Sequence, residues 1–538
     1  MAEFDFIIVG AGTAGCLLAD RLTKSGKHRV LLMEAGGSDR RFMVRMPIGY
    51  GHSFYNPRVN WMFWSRAQEA LAGRRIYFPR GRLLGGSSSI NAMVFVRGQH
   101  RDFDDWRDAG NPGWGWDDVL PYFKSFERFH GKASVERGTD GPLDVIDMAG
   151  GVHPMCHGFL AAAEQAGLAA TPDYNGCEQE GVAIYQITTR NGMRASAATA
   201  FLHPALKRDN LQLVTGAVAT KLVFDGRKVV GVEYSAGATK RTARARREVI
   251  LSAGAVGSPT LMQRSGLGAG EMLRTLGIPV IHDLPAVGEH LQDHLGVDYL
   301  FRSRKPTLNG QLRSWTGRLM LGLRYLAFRD GPLSLSVNQA GGFVRSDPAR
   351  GYVDTQLYFS PVSYSKPTPG VRRLTLADPF PGFFIGISHC RPRSRGSIRI
   401  ASADPDAAPI IDPNYLSHPT DMAEMLAGVR LIRKIAAQPA MAELIEEELK
   451  PGIAATTDEE LSDDIRRRSG SIFHASCTCR MGPDSQSSVV DHRLKVHGLS
   501  GLRVIDASVF PQVTSGNTNA PTFMVAEKGA AMVLEDHA

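Results

Sequence analysis

The chain has 538 residues, of which 43% are hydrophobic and 22% are charged, a composition typical of a globular protein and not of a disordered one. Its length exceeds what one hydrophobic core usually supports, so we expect two domains. The formal net charge is +8. The densest basic stretches, 240–247 and 466–468, are short, and we interpret them as solvated faces and exclude a nucleic-acid site.

The cysteines and the N-terminus indicate the compartment. Six cysteines are scattered along the chain, which does not form a disulfide framework and fits a reducing environment. The N-terminus leads directly into an apolar run without the features of a secretory signal, and no apolar run approaches a membrane-spanning length. The sequence therefore predicts a cytoplasmic protein, with peripheral contact with the inner membrane as an open alternative. It does not indicate the oligomeric state.

The first 34 residues carry the pattern of a βαβ unit. Residues 4–9 (FDFIIV) predict a buried parallel strand, residues 16–25 a helix and residues 29–34 a second strand. Further strands are predicted within 210–234 and at 248–253, followed by a helix from about residue 258. The C-terminal half adds strands at 355–359, 397–400 and 502–505, and helices at 419–438 and 522–534, the last with Pro521 at its first position.

Glycines in the turn after the first strand match the G-x-G-x-x-G pattern. Gly10 permits the tight turn, Gly12 lets backbone amides approach a pyrophosphate, and Gly15 lets the helix pack closely on the strand. Glu34 ends the next strand, about 20 residues further on, where it can accept hydrogen bonds from ribose hydroxyls. This context predicts dinucleotide binding, but it does not distinguish NAD from FAD.

Longer motifs make that distinction. They are PRGRLLGGSSSINAM (79–93), GAVGSPTLMQRSGLG (254–268), FHASCTCRMG (473–482) and VIDASVFPQVTSGNTNAPTFMVAEKGA (504–530). Together they resemble the glucose–methanol–choline (GMC) oxidoreductase family over essentially the whole chain. The phrases HPALKRDNLQLVTGAV, VGEHLQDH and SGNTNAPT are most similar to bacterial choline dehydrogenase-like and L-sorbose dehydrogenase-like members.

The resemblance implies a fold and a cofactor. It implies an α/β FAD-binding domain of the glutathione-reductase-like, Rossmann type, which is discontinuous, with an inserted α+β substrate domain built on a mostly antiparallel sheet. We assign residues 1–155, 205–295 and 466–538 to the FAD domain, and residues 156–204 and 296–465 to the substrate domain. No metal is expected.

The motifs also predict which residues bind the cofactor. Some family members tether the flavin through a histidine at the position of Ile90, so Ile90 predicts non-covalent FAD. Arg80 is a further candidate for the diphosphate region, and Val218 resembles the position whose backbone meets adenine. The predicted FAD-binding residues are Gly10, Gly12, Thr13, Ala14, Gly15, Glu34, Ala35, Arg82, Gly85, Gly86, Ser87, Asn91, Ala92, Met93, Val94, Val218, Ala253, Asp506, Ala507, Asn517, Thr518 and Asn519.

His474 is the predicted catalytic base. It opens the HASCTCRMG segment, which resembles the family's H-P-x-x-T-C-x-M-G, with Ala475 in place of the usual proline. Asn517 stands where relatives carry a second His or Asn. Alcohol oxidation requires the hydroxyl proton to leave while a hydride moves to flavin N5. An imidazole near its unperturbed pKa suits the base role, and Asn517 would orient the substrate and stabilise the developing alkoxide.

Several interpretations stay open or are set aside. The expected activity is FAD-dependent oxidation of a primary alcohol, with a quinone, another carrier or O2 as electron acceptor. A flavin-containing lyase of the hydroxynitrile lyase type, or a photodecarboxylase, is the alternative. A disulfide reductase is set aside, because it would need a redox cysteine pair near the N-terminus and the sequence has none. We interpret Cys477 and Cys479 as structural, Asp293-His294 as supporting the cofactor, and the six tryptophans mainly as core residues. The alcohol is not identified.

Overall fold

The computed structural model describes residues 3–364 and 377–538. Its first large sheet has seven strands in the described residues, and helices Thr13–Thr23 and Asn519–Asp536 pack together in the same hydrophobic core. Five strands form its parallel part, and a three-stranded antiparallel meander extends it. The seven strands are Glu3–Val9, Val30–Glu34, Leu211–Thr215, Ala217–Asp225, Lys228–Ala236, Thr239–Leu251 and Leu502–Val504.

The long strand Thr239–Leu251 belongs to both parts of this sheet. Its first half pairs antiparallel with Lys228–Ala236, and its second half pairs parallel with Leu502–Val504. From Arg244 to Leu251, its other edge pairs parallel with Glu3–Val9. The carboxyl ends of the parallel strands therefore meet at one edge, which is where open α/β sheets bind ligands.

The second large sheet is antiparallel in every pair among the described residues. Apolar side chains on its strands share a core with helices Met155–Gln165 and Pro419–Ala436. Its strands are Gly181–Ile184, Leu295–Ser303, Ala340–Val344, Thr355–Ser360, Gly382–His389, Ile445–Lys450 and Gly470–Ser471.

Smaller elements surround these two sheets. None of the helices within 3–364 and 377–538 is long and apolar enough to cross a membrane. The other strands are Phe63–Gln68, Arg74–Phe78, Glu127–Phe129, Leu143–Asp147, Gln186–Ile187, Thr189–Arg190, Met193–Arg194, Leu267–Gly268, His282–Asp283, Ser397–Arg399 and Ile410–Asp412. The other α-helices are Phe42–Arg45, Tyr50–Ser53, His100–Asp108, Trp116–Phe126, His203–Ala205, Gly254–Arg264, Gly270–Thr275, Leu308–Arg313, Trp315–Phe328, Pro439–Ala442 and Asp458–Arg468.

The predicted fold class, a Rossmann-type α/β unit combined with a mostly antiparallel sheet, is confirmed. The last helix differs from its prediction, because it begins at Asn519 and Pro521 is its third residue. Proline is tolerated there because the first four N–H groups of a helix have no partner within it. The domain boundaries stay a prediction, and residues 365–376 of the predicted substrate domain lie outside the described residues.

Candidate active site

A cavity of about 1330 Å³ lies between the two large sheets. One wall is formed at the carboxyl ends of the parallel strands, by Val9, Glu34 and Ser252 among others. The opposite wall includes Gln356 and Tyr358 from the antiparallel sheet. The volume exceeds the roughly 300–1,000 Å³ of an ordinary small-ligand site. It therefore suits a dinucleotide and a substrate together.

The glycine turn contains one glycine that the packing of the protein requires and one that it does not. A Cβ at Gly15 would lie 1.9 Å from the carbonyl oxygen of Gly10, so Gly15 is required by the close packing of helix on strand. At Gly12 the nearest protein atom to an added Cβ is 3.9 Å away, and its φ of −80° is open to any residue. Gly12 lines the cavity at the start of helix Thr13–Thr23, where backbone N–H groups favour a phosphate.

Glu34 is held at the end of the second strand by backbone amides. The Ala11 N–H donates to Oε2 at 3.0 Å and the Gly36 N–H donates to Oε1 at 2.7 Å. Burial raises the pKa of Glu34 to about 7. Each carboxylate oxygen retains a lone pair for a ribose hydroxyl. With the Gly12 cradle, this donor and acceptor set fits the ADP part of FAD.

The other predicted cofactor residues lie around the same cavity. All predicted residues line it except Gly15 and Gly85, which act through the backbone: the Gly85 N–H donates to the Ala11 carbonyl at 2.8 Å. Asn91 is oriented by Arg194, whose Nη1 donates to Asn91 Oδ1 at 2.7 Å. Asp506 Oδ2 accepts from the Gly254 N–H at 2.8 Å and the Ser258 hydroxyl at 2.6 Å.

His474 lines the same cavity as Glu34, from the loop after strand Gly470–Ser471. Its backbone N–H donates to Asp293 Oδ1 at 2.6 Å. The hydroxyls of Ser471 and Tyr415 donate to Asp293 Oδ2, each at 2.5 Å. Burial raises the pKa of Asp293, while the charge of Arg80 and these hydrogen bonds oppose the rise. Asp293 therefore anchors the loop that presents the imidazole.

A chain of hydrogen bonds fixes the tautomer of His474. The Cys390 carbonyl can only accept, so His294 Nε2, at 2.8 Å, carries the proton. His294 Nδ1 then accepts from His474 Nδ1 at 2.9 Å. His474 Nε2 is left with its lone pair and accepts from Asn517 Nδ2 at 3.1 Å. Asn517 is oriented in turn by Gln356, whose Nε2 donates to Asn517 Oδ1 at 3.2 Å.

The environment of His474 changes one expectation. Burial, then the charges of His294 and Arg80, hold the pKa of His474 well below its ordinary value, whereas the sequence predicts an imidazole near its unperturbed pKa. Burial also lowers the pKa of His294 to about 3. Both rings are therefore neutral at pH 7, which keeps His474 Nε2 able to accept a proton.

Other interpretations from the sequence can now be located. Asp293 and His294 contact His474, which the VGEHLQDH motif alone could not show. Their interpretation as supports of the cofactor stays a prediction. No motif or pattern in the sequence indicated Gln356. Arg80 donates to the Phe473 carbonyl at 2.9 Å beside His474.

The cysteines and tryptophans can also be located. Cys477 and Cys479 are buried, and neither forms a disulfide. Among the tryptophans, Trp61 and Trp64 line the cavity, Trp106, Trp114 and Trp116 are in the core, and Trp315 is exposed.

Removing His294 should slow catalysis and leave the glycine turn and Glu34 folded as in wild type. In His294→Ala, the N–H at His474 Nδ1 has no acceptor, so the ring is free to turn or to adopt the other tautomer. We expect kcat to fall about tenfold or more, as it does when a histidine elsewhere loses the group that orients it. His294→Asn is the matched control, because its amide both donates and accepts. Equal activity of wild type and His294→Ala would contradict the orienting role.

Comparison with known proteins agrees with this geometry. The GMC oxidoreductase family profiles match residues 4–296 and 392–526. An alcohol dehydrogenase [acceptor] of Pseudomonas putida is 42% identical over 99% of this chain and 96% of its own length. An oxygen-dependent choline dehydrogenase of Vibrio vulnificus is 40% identical over 99% of this chain and 94% of its own.

Solved structures agree as well. Pyridoxine 4-oxidase from Mesorbium loti superimposes with a TM-score of 0.88 at 31% identity, covering 99% of each chain. A formate oxidase of Aspergillus oryzae gives a TM-score of 0.91 at 26% identity, covering 100% of this chain and 99% of the other. The predicted family and reaction class are confirmed: the chain belongs to the GMC oxidoreductase family, flavoproteins that bind FAD, and is an oxidoreductase of the CH–OH donor class.

Proposed function

We propose that this enzyme oxidises a primary alcohol to an aldehyde, with His474 as the base and non-covalent FAD as the cofactor. The observation that carries the proposal is the unprotonated Nε2 of His474, which lines the same cavity as the Gly12 cradle and Glu34. When bound, FAD supplies the acceptor for the hydride that leaves the carbinol carbon. The residues of the chain supply orientation and a proton acceptor.

His474 takes the hydroxyl proton at Nε2. The fixed tautomer leaves this nitrogen without a proton before substrate arrives, so no rearrangement precedes the transfer. Asn517 Nδ2, 3.1 Å from the same nitrogen, stands where it can donate to the substrate oxygen as negative charge develops there. Gln356 holds the Asn517 amide in the orientation that points its donor at this place.

The low pKa of His474 predicts the pH profile. The active form is the neutral imidazole, and a depressed pKa keeps the ring neutral as pH falls through 6.5, the ordinary histidine value. We therefore expect kcat/KM to hold through pH 6.5 and to decline only at lower pH. The measurement is kcat/KM against pH, with enzyme stability checked at each point. A half-loss at or above pH 6.5 would contradict the assignment.

Non-covalent attachment is supported by Ile90. Its side chain is buried in a small apolar cluster with Val44, Val59 and Leu83, and it offers no nucleophilic atom. We expect acid precipitation of the holoenzyme to release its flavin into the supernatant. Yellow colour that stays with the washed pellet would mean that another residue forms a covalent bond.

The substrate wall favours an alcohol with an apolar or aromatic body. Aromatic rings dominate the cavity around the second sheet: Tyr50, Phe54, Tyr55, Trp64, Tyr77, Tyr358, Phe384 and Phe473 all line it. Burying such a body against these rings contributes binding energy without a hydrogen bond. The observation supports a benzyl-type or long-chain primary alcohol as the first compounds to test.

A cationic alcohol such as choline is the second candidate. Asp298 lines the same wall. Gly386 is paired with Asp298 on one neighbouring strand and with Tyr358 on the other, and because Gly386 has no side chain, none lies between Asp298 and Tyr358. A carboxylate beside an aromatic ring is the chemistry that binds a quaternary ammonium group. Asp298→Asn should raise KM for choline, if choline is oxidised at all, and leave KM for a neutral alcohol unchanged.

A substrate screen on purified holoenzyme tests the proposal. Neutral primary alcohols and choline would be offered with O2 and with an artificial quinone side by side, because the acceptor is part of what is proposed. Turnover of at least one alcohol with either acceptor supports it. The lyase and photodecarboxylase alternatives have no support from the relatives named above, and cyanide release or light-dependent CO2 release without alcohol turnover would restore them.

A further inference from the structure

Helix Trp315–Phe328 presents its apolar side chains to solvent. Its exposed apolar residues are between 49% and 75% accessible, and they are Trp315, Leu319, Met320, Leu323, Leu326 and Phe328. Only Leu321 and Tyr325 of this helix are buried. A surface helix of a globular protein usually does the opposite, with its apolar stripe facing the core.

The two sets of side chains lie on different sides of the helix. With 3.6 residues per turn, Trp315, Leu319, Leu323 and Leu326 follow one another at spacings of four, four and three and form one stripe. Leu321 and Tyr325, four residues apart, form a second stripe on the opposite side, and the Tyr325 hydroxyl donates to the Gly192 carbonyl at 3.0 Å. The helix is thus anchored on one side and apolar on its outer side.

The charge of the helix and the segment before it is positive, and the nearest acidic residue, Asp330, follows the helix. Residues 308–329 contain four arginines and no acidic residue. Arg318 and Arg324 flank the outer stripe, and Arg324 forms an ion pair with Asp330. Two copies of this face would bring like charges together, whereas an anionic surface would meet complementary charge.

The helix also borders the active-site cavity. Arg318 is exposed and lines the cavity, as do Leu321 and the preceding Leu312. The cavity therefore reaches the surface beside the apolar stripe. If the apolar stripe were bound to an apolar phase, a molecule dissolved in that phase would enter the cavity without crossing bulk water.

We propose that the outer face of helix Trp315–Phe328 docks this enzyme onto an anionic lipid bilayer. The helix lies in the plane of the interface, with Trp315 and the leucines among the acyl chains and the arginines at the headgroups. Within residues 3–364 and 377–538 no helix could cross the bilayer, so this contact is peripheral. The opening of the cavity beside Arg318 then faces the membrane, so that a lipid-soluble alcohol or acceptor has direct access.

Vesicle sedimentation tests this proposal on the holoenzyme. Phosphatidylcholine vesicles with and without phosphatidylglycerol would be used, and the variant is Leu319→Gln/Leu323→Gln/Leu326→Gln. The matched control, Val135→Gln/Ile281→Gln/Ile453→Gln, removes three exposed aliphatic residues elsewhere. We expect wild type and control to sediment with phosphatidylglycerol vesicles, less so at high salt. The helix variant should lose at least about tenfold in partitioning.

Activity on a water-soluble alcohol should be the same in the helix variant and in wild type, which shows that the fold is intact. Wild type that stays in the supernatant with both vesicle types would overturn the proposal, as would equal sedimentation of the helix variant. Light scattering supplies the remaining outcome: a wild-type dimer that the helix variant converts to monomer would assign the face to a second copy of the chain. Because vesicle binding is measured without turnover, its result is independent of the alcohol proposal.

Discussion

Replacing His474 by glutamine should lower kcat by about 10²- to 10⁴-fold, the usual contribution of a positioned general base. Glutamine fills much of the same space and still accepts a hydrogen bond from Asn517, but it cannot take a proton at neutral pH. FAD content should be unchanged, because Gly12 and Glu34 lie in a different part of the chain, at the start of helix Thr13–Thr23 and at the end of strand Val30–Glu34. Steady-state turnover and flavin content measured on the same preparation check both statements.

Asn517→Ala is the comparison variant for His474→Gln. It removes a donor and leaves the base, so its kcat should fall by less than that of His474→Gln. Full activity of His474→Gln would show that His474 is not the proton acceptor. An equal and total loss of flavin in both variants would show that the cavity had collapsed, and His474→Asn would then be measured in their place.

Gly12→Ala should abolish most FAD binding while the apoprotein still folds. The added methyl group has no protein atom within 3.9 Å, so only a bound group can oppose it. A methyl forced into occupied space costs about 1–3 kcal/mol, which is about 5- to 150-fold in affinity. Titration of apoprotein with FAD, followed by flavin fluorescence, measures the loss, and thermal unfolding of the apoprotein should be that of wild type.

Gly15→Ala is the matched variant at the same turn. Its Cβ would meet the Gly10 carbonyl oxygen at 1.9 Å, so the helix must move away from the strand, and the apoprotein itself should be destabilised. The pair separates a glycine required by the ligand from one required by the fold. If Gly12→Ala bound FAD as tightly as wild type, the pyrophosphate would not lie against Gly12.

Local features of this chain were predictable from its sequence. The strand at Glu3–Val9 and the helix at Pro419–Ala436 follow from continuous apolar runs and helical periodicity, which are local signals. Long motifs indicated the cavity residues from Gly10 to Asn519, because a loop that passes close to a cofactor needs small residues in a fixed order. The last helix begins at Asn519, two residues before the predicted first position at Pro521. A proline is tolerated at several positions of the first turn, so its presence does not mark the first residue of a helix.

The hydrogen bonds that orient His474 were not predictable from the sequence. His294 and His474 are 180 residues apart, and their contact depends on how strand Leu295–Ser303 leaves the loop that carries Asp293. Gln356 reaches Asn517 from another strand of the same sheet, at a register that no local pattern encodes. The pKa of His474 likewise depends on burial and on neighbours from distant segments. The sequence indicated His474 as the candidate base, and the fold determines the tautomer and the charge of its ring.

Anaerobic mixing of the wild-type holoenzyme with a panel of primary alcohols tests the central claim most directly. The claim is that an alcohol in this cavity reduces bound flavin with His474 as proton acceptor. It predicts that at least one alcohol bleaches the visible absorption of the flavin within the dead time of hand mixing or shortly after, and that His474→Gln bleaches at least about 100-fold more slowly with the same alcohol. A flavin that stays oxidised with every alcohol, in an enzyme that dithionite reduces normally, would contradict the account.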